Sequence, residues 1–157
     1  MLDPLPPDIR FEPLLLRPED VEFSFAAKKE ALGPHIRIHW PWDEEYQRRV
    51  HRQRFSEKPF FRIERRDEPV GTLSWVIQED HVRFGEFYLF EKFQRAGLGT
   101  RILRHVLGSA DARHLSVRLE YLKWNPVGSL NLRHGFVRTH EADIHFFLER
   151  PPRRAAT

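Results

Sequence analysis

The stretch Gln94-Arg95-Ala96-Gly97-Leu98-Gly99-Thr100 decides the fold prediction for this chain. It follows an aromatic-rich run, residues 82–90, that predicts a strand, and it opens onto apolar residues at helical spacing over 98–107. The first backbone N–H groups of a helix have no partner within the helix, and the helix dipole favours negative charge beside them. Glycine also lets the backbone approach a bulky group. The stretch therefore predicts a backbone site for a pyrophosphate-bearing ligand, with Arg95 and Arg101 nearby.

The glycine spacing alone also fits a turn that merely requires glycine, because it is neither a dinucleotide fingerprint nor a P-loop. With its surroundings, however, it resembles the acyl-CoA signature of the GNAT superfamily of N-acetyltransferases: Gln or Arg, two residues, Gly, one residue, then Gly or Ala. Residues 70–75 and 85–90 resemble that family's third and fourth strands. Asn125-Pro126, followed by Gly135-Phe136, resembles its late helix. The order and spacing of these blocks match over residues 11–150.

One α+β domain is predicted, since the chain shows neither a repeat nor a linker. The resemblance implies three layers around a mixed, mostly antiparallel sheet of about seven strands with about four helices. In that family strands four and five splay apart around acyl-CoA. We expect an extended lead-in over residues 1–10, the domain over 11–150 and a disordered basic tail over 151–157.

Local signals predict several element boundaries. Gly33-Pro34 is expected to stop the first helix, which leaves residues 35–42 irregular. Asp43 is a good N-cap for a second helix that runs to about Phe55. Gly108 is expected to cap the end of the helix that follows the glycine stretch.

Composition excludes several classes of function. The chain has 157 residues and no cysteine, so disulfides, thiolate metal sites and a cysteine nucleophile are excluded. The net charge of +3 is too mild to predict a nucleic-acid partner. No stretch approaches the roughly 20 apolar residues of a membrane span, and the proline-broken N-terminus does not resemble a signal peptide. No membrane association and a cytoplasmic location are therefore expected.

The resemblance implies acetyl-CoA as co-substrate and a set of residues that bind it. Backbone groups of Phe87 and Leu89, with Phe90 just beyond, would bind the pantetheine arm. The pyrophosphate would lie on the glycine stretch, which consists of Gln94, Arg95, Ala96, Gly97, Leu98, Gly99 and Thr100. Asn125 matches a family position near the pantetheine, or else it simply starts the following helix.

Glu86 is the candidate general base. Alternation over residues 82–90 places it in a stripe of apolar or aromatic residues: Val82, Phe84, Tyr88 and Phe90. Partial desolvation there is expected to raise its pKa and make it a better base near neutral pH. GNAT relatives often carry an acidic general base eight positions before the residue matching Gln94. The structural alternative is a buried Glu paired with an arginine such as Arg118 or Arg62.

The proton donor for the leaving thiolate departs from the family pattern. Many members have a tyrosine where this chain has Asn131, and Asn can donate a hydrogen bond but cannot act as a general acid. Tyr121 and Tyr88 are candidate substitutes, although core packing explains both. The departure motivates the alternative of a catalytically weak acyl-CoA-binding sensor or interaction domain.

The acceptor pocket is expected around residues 35–44, with Trp42, Glu44 and Tyr88 as substrate-binding residues. Aromatic walls and acids would suit a cationic amine. Trp40 and Asp43 are expected to pack and to cap a helix, respectively. His35 and His39 have metal-like spacing, but flanking prolines and the lack of a third ligand predict no metal site.

The leading hypothesis is an acetyl-CoA-dependent N-acetyltransferase that moves an acetyl group directly to a primary amine. The acceptor is a small molecule or the N-terminus of a peptide or protein, and the sequence leaves both open. The basic stretch formed by Arg48, Arg49, His51, Arg52 and Arg54 predicts a solvated helix face, and it also motivates a weaker RNA-associated alternative. Family analogy alone implies a homodimer.

Overall fold

A computed structural model describes residues 2–154. The strands are β1 (Ile9–Pro13), β2 (Phe60–Arg65), β3 (Glu68–Ile77), β4 (His81–Leu89), β5 (Ser116–Leu122), β6 (Val137–Glu141) and β7 (His145–Arg150). The helices are α1 (Pro18–His39), α2 (Glu44–Glu57), α3 (Leu98–Ala112) and α4 (Val127–Arg133), with one 3-10 turn at Glu91–Phe93. Among the described residues these seven strands and four α-helices confirm the predicted α+β class.

All seven strands form one mixed sheet in the order β1-β2-β3-β4-β5-β7-β6. Every neighbouring pair is antiparallel except β4 and β5, which run parallel. The parallel pairing covers only residues 81–83 of β4 and 116–118 of β5. Both strands continue without pairing to each other, β4 to Leu89 and β5 to Leu122. The predicted splay between the fourth and fifth strands is therefore confirmed.

The main hydrophobic core lies between the sheet and α3. The amphipathic pattern of α3 buries Ile102, Leu103 and Val106 almost completely against strand residues such as Val82 and Val117. On the other face of the sheet, α1 and α2 enclose a second apolar cluster in which Phe25, Phe55 and Phe60 surround His51. The two layers of helices leave the splayed ends of β4 and β5 as the only break in the sheet among residues 2–154.

Two predicted helix ends are wrong because packing overrides the local stop signals. Helix α1 continues through Gly33 and Pro34 to His39, since Leu32 and Ile36 are buried on one helical face. Helix α3 includes Gly108, because continuing one turn further buries Ala110 completely. A glycine within a helix costs about 1 kcal/mol, which such burial offsets.

The predicted cap of α2 is confirmed. The side chain of Asp43 accepts a hydrogen bond from the Tyr46 backbone N–H at 3.1 Å. The segment before it, residues 40–43, is the short connection between the two helices on this face. Asp43 therefore fixes where α2 begins.

A β-bulge in β4 corrects the predicted stripe around Glu86. Ser74 pairs with Gly85 and Thr72 pairs with Tyr88, so two residues of β4 stand opposite Leu73. Glu86 takes the extra position, with a φ of 48°. The bulge changes which face the following residues present: Phe84 belongs to the α3 core, whereas the Glu86 carboxylate contacts cations of the α2 side.

The chain ends are held more closely than predicted. Ile9 and Arg10 belong to β1, and the Pro6 carbonyl accepts a hydrogen bond from Arg101. In the predicted tail, the Arg153 N–H donates to Asp111 at 2.8 Å, beside the two hydrogen bonds that join Asp111 to Arg150. Residues 155–157 of that tail lie outside the described residues.

No helix between residues 2 and 154 combines the length and the apolar character that crossing a membrane requires.

Gly71 is expected to be essential for the β3–β4 pairing. A Cβ at Gly71 would collide with the Tyr88 carbonyl oxygen, whereas a Cβ at Gly85 of the same strand pair meets nothing within 4 Å. We predict that Gly71→Ala lowers the free energy of unfolding by about 2–3 kcal/mol and that Gly85→Ala changes it little. Chemical denaturation of the two variants checks this. Equal stability of the variants would contradict the role of the close approach.

Candidate active site

A cavity of ≈ 650 Å³ opens where β4 and β5 separate. Helix α1 and the residue that follows it face the cavity with side chains at four-residue spacing: Lys28, Leu32, Ile36 and then Trp40. Helix α2 and the segment after it contribute Val50, Arg54 and Lys58, and β4 contributes Gly85 to Tyr88. The remaining wall comes from β5, α4 and β7, including Tyr121, Asn131 and His145. The cavity therefore joins the gap in the sheet to the space beneath α1 and α2.

The start of α3 presents a row of free backbone donors. Among residues 2–154, none of the N–H groups from Arg95 to Thr100 has a hydrogen-bond partner. The turn requires Gly97, whose φ of 80° is left-handed, and Arg95 also has a positive φ of 60°. These amides at the positive end of a fifteen-residue helix can hold a diphosphate.

Two side chains at the glycine stretch, Gln94 and Arg101, have partners within the protein. Gln94 Nε2 donates to the Leu89 carbonyl at 2.8 Å and thereby ties the turn to the end of β4. Arg101 pairs with Asp8 at 2.8 Å, while Arg95 stays exposed. Gly99 lies beside the Leu89 side chain, which brings the start of α3 next to the open end of β4. The unpartnered backbone amides of this stretch are therefore available as donors, whereas Arg101 already has a partner.

The open edge of β4 agrees with a bound extended arm. The Phe90 N–H donates to Val70 of β3, and backbone groups alternate along a strand, so those of Phe87 and Leu89 turn toward the gap. Because the Leu89 carbonyl already accepts a hydrogen bond from the Gln94 side chain, only the Leu89 N–H is left to contact a ligand. The Phe90 ring packs edge-on against Phe23 of α1. The backbone contacts predicted for Phe87 and Leu89 stay a prediction with suitable geometry.

Glu86 lies at the centre of a cationic cluster and not in an apolar stripe. Its Oε1 is 3.0 Å from Lys58 Nζ and 3.3 Å from Arg54 Nη1, and its side chain is 4% exposed. Burial by itself would raise the pKa of Glu86, but the charges of Lys58, Arg54 and Lys28 outweigh burial and lower it to about 2. The expected rise in pKa is wrong, and the partners differ from the predicted Arg118 or Arg62.

Lys28 is the least compensated charge in the cavity. It is 5% exposed and forms neither a hydrogen bond nor an ion pair with any residue from 2 to 154. Burial, with the nearby charges of Arg54 and Lys58, lowers the pKa of Lys28 to about 8 although Glu86 opposes the shift. An ammonium with these surroundings is available to a ligand.

Two other titratable groups face the same cavity. Burial, followed by the charge of Glu86, raises the pKa of Tyr88 well above its usual value, so its hydroxyl stays protonated. Burial lowers the pKa of His145, so its imidazole is neutral at neutral pH. Tyr88 can therefore donate a hydrogen bond, and His145 can accept a proton.

Helix α4 and the residues just before it line one side of the cavity. Asn131 is buried and lines the cavity. Asn125 also lines the cavity, and its Oδ1 accepts a hydrogen bond from the Val127 N–H, which supports the helix-start alternative. Tyr121 lines the cavity with its hydroxyl pressed against Gly128. The roles of Asn125 and Asn131 toward a cofactor stay predictions.

Trp42 and Glu44 lie outside the cavity. Trp42 packs on Phe25 and donates to Glu44 at 2.6 Å, and Glu44 pairs with Lys29 at 2.9 Å. Their assignment to the acceptor pocket stays a prediction that this geometry does not support.

Trp40, which was expected only to pack, lines the cavity instead. It meets Trp124 edge-on with ring centroids 4.2 Å apart, and His39 stacks on the same Trp124. Because α1 continues through Pro34, its last turn carries Trp40 to this position.

Sequence reasoning missed Lys28, Arg54, Lys58 and His145. The spacing of Lys28 with Leu32 and Ile36 was a usable signal, since a lysine in an apolar helical stripe is unusual. Arg54 had been assigned to a solvated basic face; in the structure Arg48 pairs with Glu22 on the surface, whereas Arg54 turns inward.

Comparison with known proteins agrees with this geometry. The model of the acetyltransferase (GNAT) family matches residues 22–147. PaiA N-acetyltransferase from Thermoplasma acidophilum in complex with coenzyme A has a similar fold, with a TM-score of 0.71 and 17% identity over 92% of this chain and 99% of that chain. An acetyltransferase from Thermus thermophilus gives a TM-score of 0.68 and 16% identity, over 92% of this chain and 97% of that chain.

The ribosomal-protein-S18-alanine N-acetyltransferase from Escherichia coli gives a TM-score of 0.62 and 15% identity, over 94% of this chain and 96% of that chain. A search of curated proteins found no match. At these identities the structural similarities show the fold, and the family match covers most of the chain. The chain belongs to the GNAT acetyltransferase family, the N-acetyltransferases that take their acetyl group from acetyl-CoA.

Proposed function

We propose that this enzyme transfers the acetyl group of acetyl-CoA directly to a primary amine bound beneath α1 and α2. The observation that carries the proposal is the continuity of two features. The free amides of residues 95–100 adjoin the open end of β4, and the cavity follows β4 from Tyr88 back to Gly85. An extended ligand anchored at α3 would thus bring its far end beside Glu86.

In this proposal Glu86 positions the amine but does not accept the proton that the amine loses. A carboxylate with a pKa of about 2 is a weak base at neutral pH. The surrounding cations instead lower the pKa of a bound ammonium, because like charges disfavour the charged form. The neutral imidazole of His145 or water then takes the proton.

The acetyl donor supplies a thioester, and no covalent enzyme intermediate is required. The leaving sulfur needs a hydrogen-bond donor at the α4 side of the cavity. The Asn131 amide and the Tyr121 hydroxyl both line the cavity there and are our candidates for that contact. The alternative of a catalytically weak sensor is favoured only by Asn131, and turnover decides between the two.

The first test targets the diphosphate site with Gly99→Glu. Gly99 has room for a Cβ, but a carboxylate there would repel an anion at the start of α3. Native protein should gain about 5–10 °C in melting temperature at 100 times the dissociation constant of acetyl-CoA. We predict that Gly99→Glu loses this shift.

Gly108→Glu is the matched control, because it lies on the same helix with open space around it and away from the free amides. It should keep the full shift. A shift that persists in Gly99→Glu, or that disappears equally in both variants, would contradict the assigned site.

The second test, Glu86→Gln, separates a positioning carboxylate from a base. Removing the charge leaves buried cations uncompensated, so the free energy of unfolding should fall by about 3 kcal/mol. That contribution from Glu86 is present above the unfolded pKa of its carboxyl and is lost as pH falls toward about 2. We predict that kcat falls while the acid limb of its pH profile persists and moves to lower pH.

The measurement is kcat against pH for protein whose fold is checked by circular dichroism. A variant that loses the acid limb altogether, with kcat low at every pH, would restore Glu86 as the base. Unchanged kcat at every pH would remove Glu86 from the site.

A further inference from the structure

The cavity beneath α1 and α2 contains more cationic charge than the residues around it neutralise. Two of its cations have carboxylates on the sheet: Arg83 lies 3.8 Å from Glu120, and Arg118 lies 3.3 Å from Glu149. Deeper in the cavity, Lys28, Arg54 and Lys58 share Glu86. Glu120 lies 3.9 Å from Arg54, but it is shared with Arg83 and therefore neutralises Arg54 only in part. A ligand that brings negative charge would complete this cluster.

Two groups of the cluster lack a partner: the Lys28 ammonium lacks an acceptor, and Glu86 Oε2 lacks a hydrogen-bond donor. Lys28 is 5% exposed as a residue and lines the cavity, and its ammonium has no hydrogen-bond or ion-pair partner among residues 2–154. Glu86 Oε2 is buried and accepts no hydrogen bond from those residues. A buried ammonium without a partner is costly, and a bound anion would offset that cost. One group thus requires an anion and the other requires an N–H donor.

The rest of the chamber is apolar. Leu32, Ile36 and Trp40 continue the stripe of α1 that begins at Lys28, and Val50 faces them from α2. A ligand that meets all these surfaces has an anionic group, an amine close to it, and an apolar side chain. A polyamine has the wrong charge, because three cations surround the single carboxylate that could receive it.

We propose that the acceptor is an amino carboxylate with an apolar side chain, such as a free hydrophobic α-amino acid. Its carboxylate binds Lys28 and Arg54, its amine donates to Glu86 Oε2, and its side chain packs on Leu32, Ile36 and Trp40. In the reaction the bound ammonium first loses one proton to His145 or water. The amine nitrogen then forms a bond to the acetyl carbon and the carbon–sulfur bond breaks, while the second proton lost from the nitrogen passes through water to the departing thiolate, so that a thiol is released. The inference rests on the proposed transferase function and specifies its acceptor.

The test compares four amines with the 157-residue chain and saturating acetyl-CoA: L-leucine, L-leucinamide, isoamylamine and spermidine. Thiol release gives kcat/KM, expressed per concentration of free amine so that the different protonated fractions of the amines do not affect the comparison. A charge-assisted contact predicts that L-leucine exceeds L-leucinamide by about 10- to 100-fold. Isoamylamine and spermidine should be poorer still.

Lys28→Met and Lys29→Met form a matched pair. Lys29 is the next residue of α1, but its ammonium pairs with Glu44 outside the cavity. We expect Lys28→Met to bring the ratio of L-leucine to L-leucinamide within about threefold of unity and Lys29→Met to keep it. Lys28→Met should also melt at a higher temperature than the native protein without ligand, which would show that it folds.

Several outcomes overturn the inference. These are equal rates for acid and amide, a preference for spermidine, a preference for L-leucine that survives Lys28→Met, or no turnover of any of the four amines. The acetyl-CoA melting shift is measured alongside in each protein. Its presence with any of those outcomes removes only the amino-carboxylate acceptor, whereas its absence in native protein contradicts the proposed function itself.

Discussion

The parting of β4 from β5 is the constraint on which the site depends. Strand pairing that continued beyond Arg83 would close the gap and leave no free strand edge. The bulge at Glu86 prevents this, because a residue with positive φ twists β4 away and interrupts the alternation of its side chains. One local irregularity therefore opens the cavity, turns the backbone of Phe87 and the N–H of Leu89 toward the gap, and sends the Glu86 carboxylate to the side of α1 and α2.

The fold supports this break by fixing both strands elsewhere. Gly71 lets β3 approach β4 closely beyond the bulge, and the Gln94 side chain closes the turn onto the Leu89 carbonyl. On the other side, β5 pairs along its length with β7, whose Arg150 is held by Asp111 of α3. The open gap is thus bordered by rigid elements, and the free amides at the start of α3 keep a fixed position relative to it.

Electrostatics distinguishes this pocket from one designed for a cationic amine. The cluster of Lys28, Arg54 and Lys58 holds Glu86 ionised, and burial leaves Lys28 with a pKa of about 8. This cluster destabilises the folded chain below pH 8 through Lys28, and that destabilisation is relieved as pH rises from about 8 toward the unfolded pKa of lysine. An anion that binds Lys28 in the folded state would offset this destabilisation.

The sequence alone determined the elements whose signals are local. The strand, glycine turn and helix at residues 82–107 follow from periodicity and from the φ that Gly97 must adopt. Asp43 as a cap follows from its side-chain chemistry. The resemblance to the GNAT family, which rests on the order of several short sequence blocks, predicted the mixed sheet, the separation of β4 from β5 and the use of acetyl-CoA.

Tertiary structure decided what depends on contacts between distant segments. The bulge at Glu86 exists only where β4 pairs with β3. It moves Glu86 out of the apolar stripe predicted from alternation and places its carboxylate among cations from the α1 and α2 side. Burial of Leu32 and Ile36 carried α1 past Pro34 and brought Trp40, rather than Trp42, to the cavity. Charges and burial from residues far apart in the chain set the pKa of a side chain. The apolar helical spacing could therefore mark Lys28 as unusual, but no local pattern could show that Lys28 and Glu86 belong to one cluster.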